Sequence, residues 1–169
     1  VLQAKRTREK YDSSYEQIAK SIKNNLVGES TINLKPALFD YFKSLVVNVL
    51  LRNGDAHLKN YGLIYKDTSS IVNLAPIYDI VTTTAYLPKD IMALTLNGSK
   101  RWASRDDLLA FATKSCMLSN AQASQIFEEV IAAIKQVSEL LTQEVELNHK
   151  FKDIGLQMLA IWRDSITSF

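Results

Sequence analysis

Two acids and an amide near the middle of the chain stand at spacings that suit phosphoryl transfer. Asp55 precedes Asn60 by five residues in the polar segment 53–60, and Asp79 directly follows the apolar run 74–78. Transfer of a phosphoryl group from a nucleotide demands mainly positioning, a divalent metal ion and a residue that accepts the proton of the attacking hydroxyl. The pattern therefore predicts that Asp55 orients the acceptor hydroxyl, and that Asn60 and Asp79 offer oxygen ligands to Mg²⁺.

Two neighbours of these residues are further candidates. Lys59 is predicted to be a catalytic residue, because an ammonium group beside Asn60 would meet a phosphate oxygen during transfer. The alternative is that Lys59 is a loop lysine that faces solvent. His57 is placed among the cofactor-binding residues, and the alternative is that its ring nitrogens hold the loop. The chain's other histidine, His149, and its single cysteine, Cys116, are too scattered to indicate a zinc site.

A buried helix and a β-hairpin are the elements that must position this chemistry. Apolar residues recur at helical spacing after Pro36, which suits the first turn of a helix, and they predict a largely buried helix that ends at about Arg52. Two short strands, 62–65 and 71–75, are predicted on either side of a five-residue polar connection. Because such a hairpin reverses the chain, it brings Asp79 back towards the loop that follows the helix.

The remainder of the chain reads as mainly helical. The segments with a predicted conformation are, in chain order, a solvated lead-in (1–14), a helix (15–24), a loop (27–33), a strand (91–96) and helices from Ser104, from Ser119 or Asn120 and over 151–166. Ser104 and Asp107 have the spacing of a capping box. The predicted fold class is therefore mostly α (α+β), a helical lobe with a small β-hairpin that carries the active-site loop.

Composition indicates one ordinary globular domain. The 169 residues are 47% hydrophobic and 22% charged, and the net charge of +2 is too small to argue for nucleic acid binding. No apolar run approaches the roughly 20 residues that a membrane span needs. A single cysteine excludes an internal disulfide and favours a reducing compartment, so a cytoplasmic location is expected.

The segments 53–60 and 74–79 resemble motifs of the C-terminal domain of HipA-like kinases, the toxins of bacterial toxin–antitoxin pairs. The likeness extends to Tyr11, the helix from Pro36, the stretch 92–96 and the helical tail, so that it covers nearly the whole chain. The resemblance implies a serine/threonine protein kinase with a protein-kinase-like, two-lobed fold, of which residues 1–169 form the catalytic C-terminal lobe.

The same resemblance implies cofactors, site residues and partners. ATP and Mg²⁺ would be the cofactors, with Asp55 as the catalytic base and with Asn60 and Asp79 as the magnesium ligands. The partners would be a protein substrate, such as an aminoacyl-tRNA synthetase whose modification inhibits translation, and a helix-turn-helix antitoxin. DNA would be reached only through that antitoxin, and autophosphorylation of a loop serine is a recurrent control in the family.

Departures from other kinases define the alternatives. Protein kinases of the eukaryotic type carry His-Arg before the catalytic acid and Phe-Gly after the metal-binding acid, where this chain has Asn53-Gly54 and Ile80-Val81. Small-molecule phosphotransferases of the aminoglycoside and choline kinase type are more similar and differ chiefly at Asn53. That class is the first alternative, and a non-catalytic interaction module with vestigial acids is the second.

The chain lacks the residues that normally clamp a nucleotide. Its five glycines are isolated, and no strand lysine of the usual kind precedes Asp55. The chain also begins with Val1 rather than Met. We therefore expect the nucleotide-clamping N-terminal lobe to lie upstream of Val1, and we expect the 169-residue chain alone to have little or no kinase activity.

Overall fold

The computed structural model describes residues 9–26, 31–65 and 71–169, without the side chains of residues 31–33, 71 and 72. Five α-helices and one antiparallel pair of strands form this described part. They are α1 (Tyr15–Leu26), α2 (Thr31–Leu50), β1 (Leu63–Tyr65), β2 (Ile71–Leu74), α3 (Arg105–Ser115), α4 (Asn120–Leu147) and α5 (Lys152–Thr167). The predicted fold class, mostly helical with one small β-hairpin, is confirmed.

Helix α2 forms the centre of the core, because its apolar residues face several neighbours at once. Leu38, Phe42 and Leu45 are fully buried, and both α1 and α4 pack against α2. The helix begins at Thr31, with Pro36 inside it, so the predicted loop is wrong for residues 31–33, and its residues 27–30 lie outside the described part. The apolar pattern continues through buried Leu34, and this packing outweighs the single backbone hydrogen bond that a proline removes.

The segment before α1 is packed against the protein, and the predicted solvated lead-in is wrong for its described residues. A 3-10 turn spans Glu9–Tyr11, and Ser14 forms a parallel bridge with Thr95. The side chain of Lys10 is only 18% exposed. Residues 1–8 of the predicted lead-in lie outside the described part. Helix α1 itself is confirmed and runs two residues beyond its predicted end.

The hairpin is confirmed, whereas the predicted third strand is wrong. Leu63 pairs with Leu74 in the antiparallel ladder of β1 and β2. The stretch 91–96 forms only two isolated bridges, one to Ser14 and one across the turn to Ser99. Its apolar pattern arises because Met92, Ala93, Leu94 and Leu96 are buried in the core, and core burial does not require a continuous strand partner.

The C-terminal helices follow the predicted pattern. The Ser104–Asp107 capping box forms at the start of α3, and the hydrogen bond from Arg101 is the main reason that the pKa of Asp107 falls to about 2. In α4 the apolar residues Ile126, Val130 and Ile134 are buried, but Val137 is 47% exposed. Within the described residues, none of the helices combines the length and apolar character needed to cross a bilayer.

Candidate active site

The acid loop after α2 is held by one buried amide, that of Asn53. The backbone of Arg52 leaves the helix with a φ of 56°, and Asn53, only 2% exposed, follows it. Its Nδ2 donates hydrogen bonds to Asn48 Oδ1 at 2.7 Å and to the Asp79 carbonyl at 3.1 Å. Its Oδ1 accepts the backbone N–H of Asp55 at 3.1 Å. One side chain therefore connects the end of α2, the first acid and the segment that carries the second acid.

Gly54 allows a second segment to approach the same loop. Its N–H donates to Thr83 Oγ1 at 2.8 Å, and that hydroxyl donates to the Arg52 carbonyl at 3.1 Å. A Cβ at position 54 would lie 2.1 Å from Asp90 Oδ2 and 2.6 Å from the Ile91 carbonyl oxygen. Only glycine fits this approach, because real Cβ atoms do not come so close to other heavy atoms.

The carboxylate of Asp55 lies beside a cavity and has three neighbours on one of its oxygens. The Tyr11 hydroxyl donates to Oδ1 at 2.7 Å, and Lys10 Nζ and His57 Nε2 lie 3.7 Å and 3.9 Å from the same atom. The side chain is still 43% exposed. The adjoining cavity has a volume of about 460 Å³, and Leu87 and Ile91 contribute apolar wall to it. The first predicted acid is therefore accessible to a partner molecule.

The two nitrogen-bearing side chains near Asp55, those of Lys10 and His57, differ in charge. The hydrogen bond with Tyr11 is the main reason that the pKa of Lys10 is raised, and the charge of Asp55 adds to it. Burial lowers the pKa of His57 in spite of the nearby carboxylate. At neutral pH an ammonium group and an uncharged imidazole therefore both lie near Asp55 Oδ1.

Asn60 and Asp79 are in direct contact, as the predicted hairpin requires. Asn60 is 8% exposed; its Oδ1 accepts the backbone N–H of His57 at 2.8 Å, and its Nδ2 donates to Asp79 Oδ2 at 2.9 Å. The Tyr78 hydroxyl donates to the Lys59 carbonyl and joins the two segments a second time. Asp79 is exposed and has a φ of 59°, which directs its carboxylate back to the loop.

The two remaining candidates, His57 and Lys59, have different surroundings in the structure. His57 lies between Asp55 and Asn60, because its ring approaches Asp55 and its backbone N–H donates to Asn60 Oδ1. Its ring also packs edge-on against Tyr11, with centroids 5.5 Å apart. Within the described residues its buried Nδ1 has no hydrogen-bond partner, so the ring contacts the loop by packing and not through hydrogen bonds of its nitrogens. Lys59 is exposed, and within the described residues its side chain contacts none of the other candidates. The functional roles of all five residues stay predictions.

The donor set of Asn60 and Asp79 fits Mg²⁺ better than zinc. In the described part of the chain, no three histidine, cysteine, aspartate or glutamate side chains form a group that could hold a metal ion. Mg²⁺ commonly binds one or two carboxylates together with substrate phosphates and water. The carbonyl oxygen of Asn60 has a second lone pair beside the one that His57 uses, so a carboxylate and an amide oxygen are both available.

Sequence reasoning missed several residues of this site. It grouped Lys10 with a solvated segment, treated Asn53 only as a departure from other kinases, and gave no role to Thr83. Tyr11 entered only through the family resemblance. Tyr11 and Asp55 are 44 positions apart, and no local periodicity reports contacts at such separations. For Asn53 a signal did exist, because a side chain with two donors and an acceptor directly after a buried helix is suited to bridging.

This chain is similar to one protein family and to two proteins that are named as kinases. Residues 1–138 match the family model described as HipA-like C-terminal domain. A protein of Sinorhizobium fredii named "Putative kinase Y4dM" is 38% identical over 79 residues, which are 45% of this chain and 19% of that protein. A Haemophilus influenzae protein named "Putative kinase" is 29% identical over 147 residues, 77% of this chain and 41% of that protein.

The fold also matches a solved structure. A chain of the Shewanella oneidensis MR-1 toxin–antitoxin complex of HipA, HipB and operator DNA superposes with a TM-score of 0.59 and 20% sequence identity. The match covers 89% of this chain and 35% of that one. The chain thus spans less than half the length of each of these relatives.

Proposed function

The chain belongs to the family of HipA-like C-terminal domains, and from that premise we propose that it is the catalytic lobe of a serine/threonine protein kinase toxin. In this proposal the γ-phosphate of ATP is transferred to a hydroxyl of a protein. The observation that carries it is the arrangement of an accessible acid, Asp55, and an amide–acid pair, Asn60 and Asp79, around the buried amide of Asn53. The kinase names of the relatives support the same class of reaction.

Asp55 acts on the acceptor side. The acceptor serine or threonine enters the cavity of about 460 Å³ beside this carboxylate. Asp55 accepts the hydroxyl proton as the oxygen attacks phosphorus, which is the task of a general base. The contacts that the loop makes with Asn53 and Thr83 hold the base in place before the acceptor arrives.

Asn60 and Asp79 act on the donor side. They would hold Mg²⁺ with the phosphates of ATP, and the ion would neutralise charge on the transferred group. A cleft of about 410 Å³ adjoins Asn60 and has apolar walls from Leu74, Ala75 and Ile77; that volume suits part of a nucleotide. Lys59, exposed beside Asn60, is available to a phosphate oxygen.

A longer protein completes the site in this proposal. The relatives extend well beyond the matched region, and the five isolated glycines of this chain supply no phosphate-binding loop. We propose that the nucleotide-clamping lobe lies in a part of the protein outside these 169 residues. A helix-turn-helix antitoxin is the proposed partner, supported by the HipA, HipB and DNA complex that shares this fold. An aminoacyl-tRNA synthetase is the proposed substrate.

Labelled phosphate tests the proposal. The full-length protein is incubated with Mg²⁺, γ-labelled ATP, bacterial lysate and small alcohols, and we expect label in a protein band. Asp55→Asn should lower the transfer rate by at least about 100-fold, the usual contribution of a general base. Asp79→Asn should raise the Mg²⁺ concentration needed for half-maximal transfer. Asp164→Asn, which changes an exposed aspartate on α5, is the matched control.

Two other results would redirect the assignment. Label in a small alcohol rather than a protein would favour a small-molecule phosphotransferase. Transfer that survives both Asp55→Asn and Asp79→Asn at the rate of the control would place the activity elsewhere and leave this lobe as an interaction module.

A further inference from the structure

The N-terminal turn reaches across the fold to the proposed base. We propose that Tyr11 is a positioning residue that fixes one oxygen of Asp55 and thereby reserves the other oxygen for the acceptor hydroxyl. This inference rests on the proposed function, because it assigns a role in the same phosphate transfer. It adds a residue from outside the loop, 44 positions away in the chain.

Within the described residues, the polar contacts of the Asp55 carboxylate are all on one of its two oxygens. The Tyr11 hydroxyl donates to Oδ1 at 2.7 Å, a distance typical of a hydrogen bond from a hydroxyl to a charged oxygen. Lys10 and His57 also approach Oδ1. Among the described residues, no hydrogen bond or ion pair involves Oδ2. Because Oδ1 is already engaged, Oδ2 is the oxygen with lone pairs free for an incoming hydroxyl.

Tyr11 is itself held on several sides. Its ring packs edge-on against His57 at 5.5 Å, and the Lys10 ammonium lies 4.7 Å from its centroid. Its carbonyl accepts a hydrogen bond from Lys100 at 3.4 Å. The bridge between Ser14 and Thr95 fixes the same segment three residues later. A phenol held in this way restricts rotation of the Asp55 carboxylate, which no contact within the loop does.

The Tyr11 hydroxyl is better suited to orienting Asp55 than a lysine at hydrogen-bond distance would be. Its O–H donates one hydrogen bond and leaves the negative charge on the carboxylate, which a base needs. Lys10 stands 3.7 Å from Oδ1, beyond ordinary hydrogen-bond length, so it contributes positive charge without occupying a lone pair. The combination orients the base and leaves its second oxygen open to the acceptor.

Tyr11→Phe in the full-length protein isolates the hydroxyl. The ring and its packing against His57 and Lys10 are kept, while the hydrogen bonds of the hydroxyl with Asp55 and Lys10 are lost. We expect kcat to fall about tenfold, since misplacement of a catalytic group by a fraction of an ångström is costly. KM for ATP should stay within about twofold, because a positioning effect is exerted in the transition state rather than on nucleotide binding.

Tyr15→Phe is the matched control. The Tyr15 hydroxyl also donates to this loop, at 3.1 Å, but to the carbonyl of Ala56 rather than to a carboxylate. It is buried, so its loss should lower Tm more than Tyr11→Phe does. Its kcat should stay within about twofold of the wild type, because the Asp55 oxygen keeps its donor.

The outcomes separate this inference from the function on which it rests. If the wild type transfers phosphate, Asp55→Asn does not, and Tyr11→Phe has wild-type kcat, the positioning role is wrong while the proposed function stands. If Tyr15→Phe loses as much kcat as Tyr11→Phe, the effect is one of general loop structure and the positioning role is again wrong. A wild-type protein without transfer activity would overturn the proposed function, and the positioning role with it.

Discussion

The two acid-bearing segments of the site are built very differently. In the loop 53–60 the side chains of Asn53, His57 and Asn60 are each less than 10% exposed. In the segment 77–81 that carries Asp79, the four apolar side chains are 38–49% exposed. The first segment is enclosed by α2, the N-terminal turn and Thr83, whereas the second is fastened to the loop mainly through Asn53, Asn60 and Lys59.

This difference indicates how the work is divided within the proposed active site. The acceptor half, around Asp55, is preorganised by the chain itself, because Tyr11 donates to one carboxylate oxygen and Asn53 accepts the backbone N–H of Asp55. The donor half, around Asp79, exposes apolar side chains next to an acid, which is the surface expected where a nucleotide and a further lobe are to be added. Substitutions in the loop should therefore affect stability, and substitutions in the second segment should mainly affect function.

Gly54→Ala should have the largest effect on stability. The new methyl group would overlap Asp90 and the Ile91 carbonyl, and the segment 83–91 would have to move away from the loop. Overpacking of this kind costs about 1–3 kcal/mol, and we expect a value near the upper end, measured by urea unfolding of the 169-residue chain. The loss of the Thr83 contact should also abolish phosphate transfer by the full-length protein.

Gly62→Ala is the control for that substitution. Its methyl group would meet only the Ala75 Cβ, at an ordinary contact distance of 3.6 Å. We expect stability to change by less than about 1 kcal/mol, with a gain possible from lower entropy of the unfolded chain. If Gly54→Ala and Gly62→Ala lowered the free energy of unfolding equally, the close approach of Asp90 and Ile91 to Gly54 would not explain the loss.

Asn53→Ala should come next, at about 2 kcal/mol. It leaves the Asn48 amide oxygen and the Asp55 N–H without their buried partner, and an unsatisfied buried polar group costs about 1–3 kcal/mol. Asn53→Asp is a sharper variant, because it keeps the acceptor for Asp55 but sets an oxygen against two acceptors, Asn48 Oδ1 and the Asp79 carbonyl. Urea unfolding measures both, and an Asp variant as stable as the wild type would contradict the bridging role.

The sequence alone predicts some parts of this site and not others. The periodic apolar residues of α2 and the turn signals of the hairpin are local, so both elements could be predicted, together with the closeness of Asn60 and Asp79. Asn53, Lys10 and Thr83 act through contacts between distant segments. The type and position of Asn53 indicate a bridging side chain, but no local pattern identifies the distant partners of these three residues. The strand expected at 91–96 failed for a related reason, since burial and strand pairing produce similar apolar patterns over short stretches.

His57 should produce a smaller effect that depends on pH. Burial holds its pKa below the ordinary value of 6.5 in the folded protein, so the unfolded chain takes up the proton first as the pH falls. The wild type should therefore lose stability as the pH drops below about 6.5 towards that lower pKa, with no contribution at higher pH. Thermal unfolding between pH 7.5 and 5.5, with EDTA present, should show a shallower decline for His57→Gln than for the wild type.

His149→Gln provides the comparison, because it removes the chain's other histidine from an exposed turn. Its unfolding curve against pH should follow that of the wild type. A wild-type slope retained in His57→Gln would show that the acid sensitivity arises outside the loop.

Asp79→Asn should have the smallest effect on stability, although the residue has a central place in the proposed chemistry. Asn is among the residues that tolerate a φ of 59°, and its carbonyl oxygen can still accept the hydrogen bond from Asn60. We expect the free energy of unfolding to stay within about 0.5 kcal/mol of the wild type, as for most exposed positions. Alanine adopts a φ of 59° less readily, so Asp79→Ala should lower the free energy of unfolding by about 1 kcal/mol. A loss above 1 kcal/mol in Asp79→Asn would mean that the carboxylate supports the fold as well as the proposed metal site. The division between a preorganised half and an open half would then fail at Asp79.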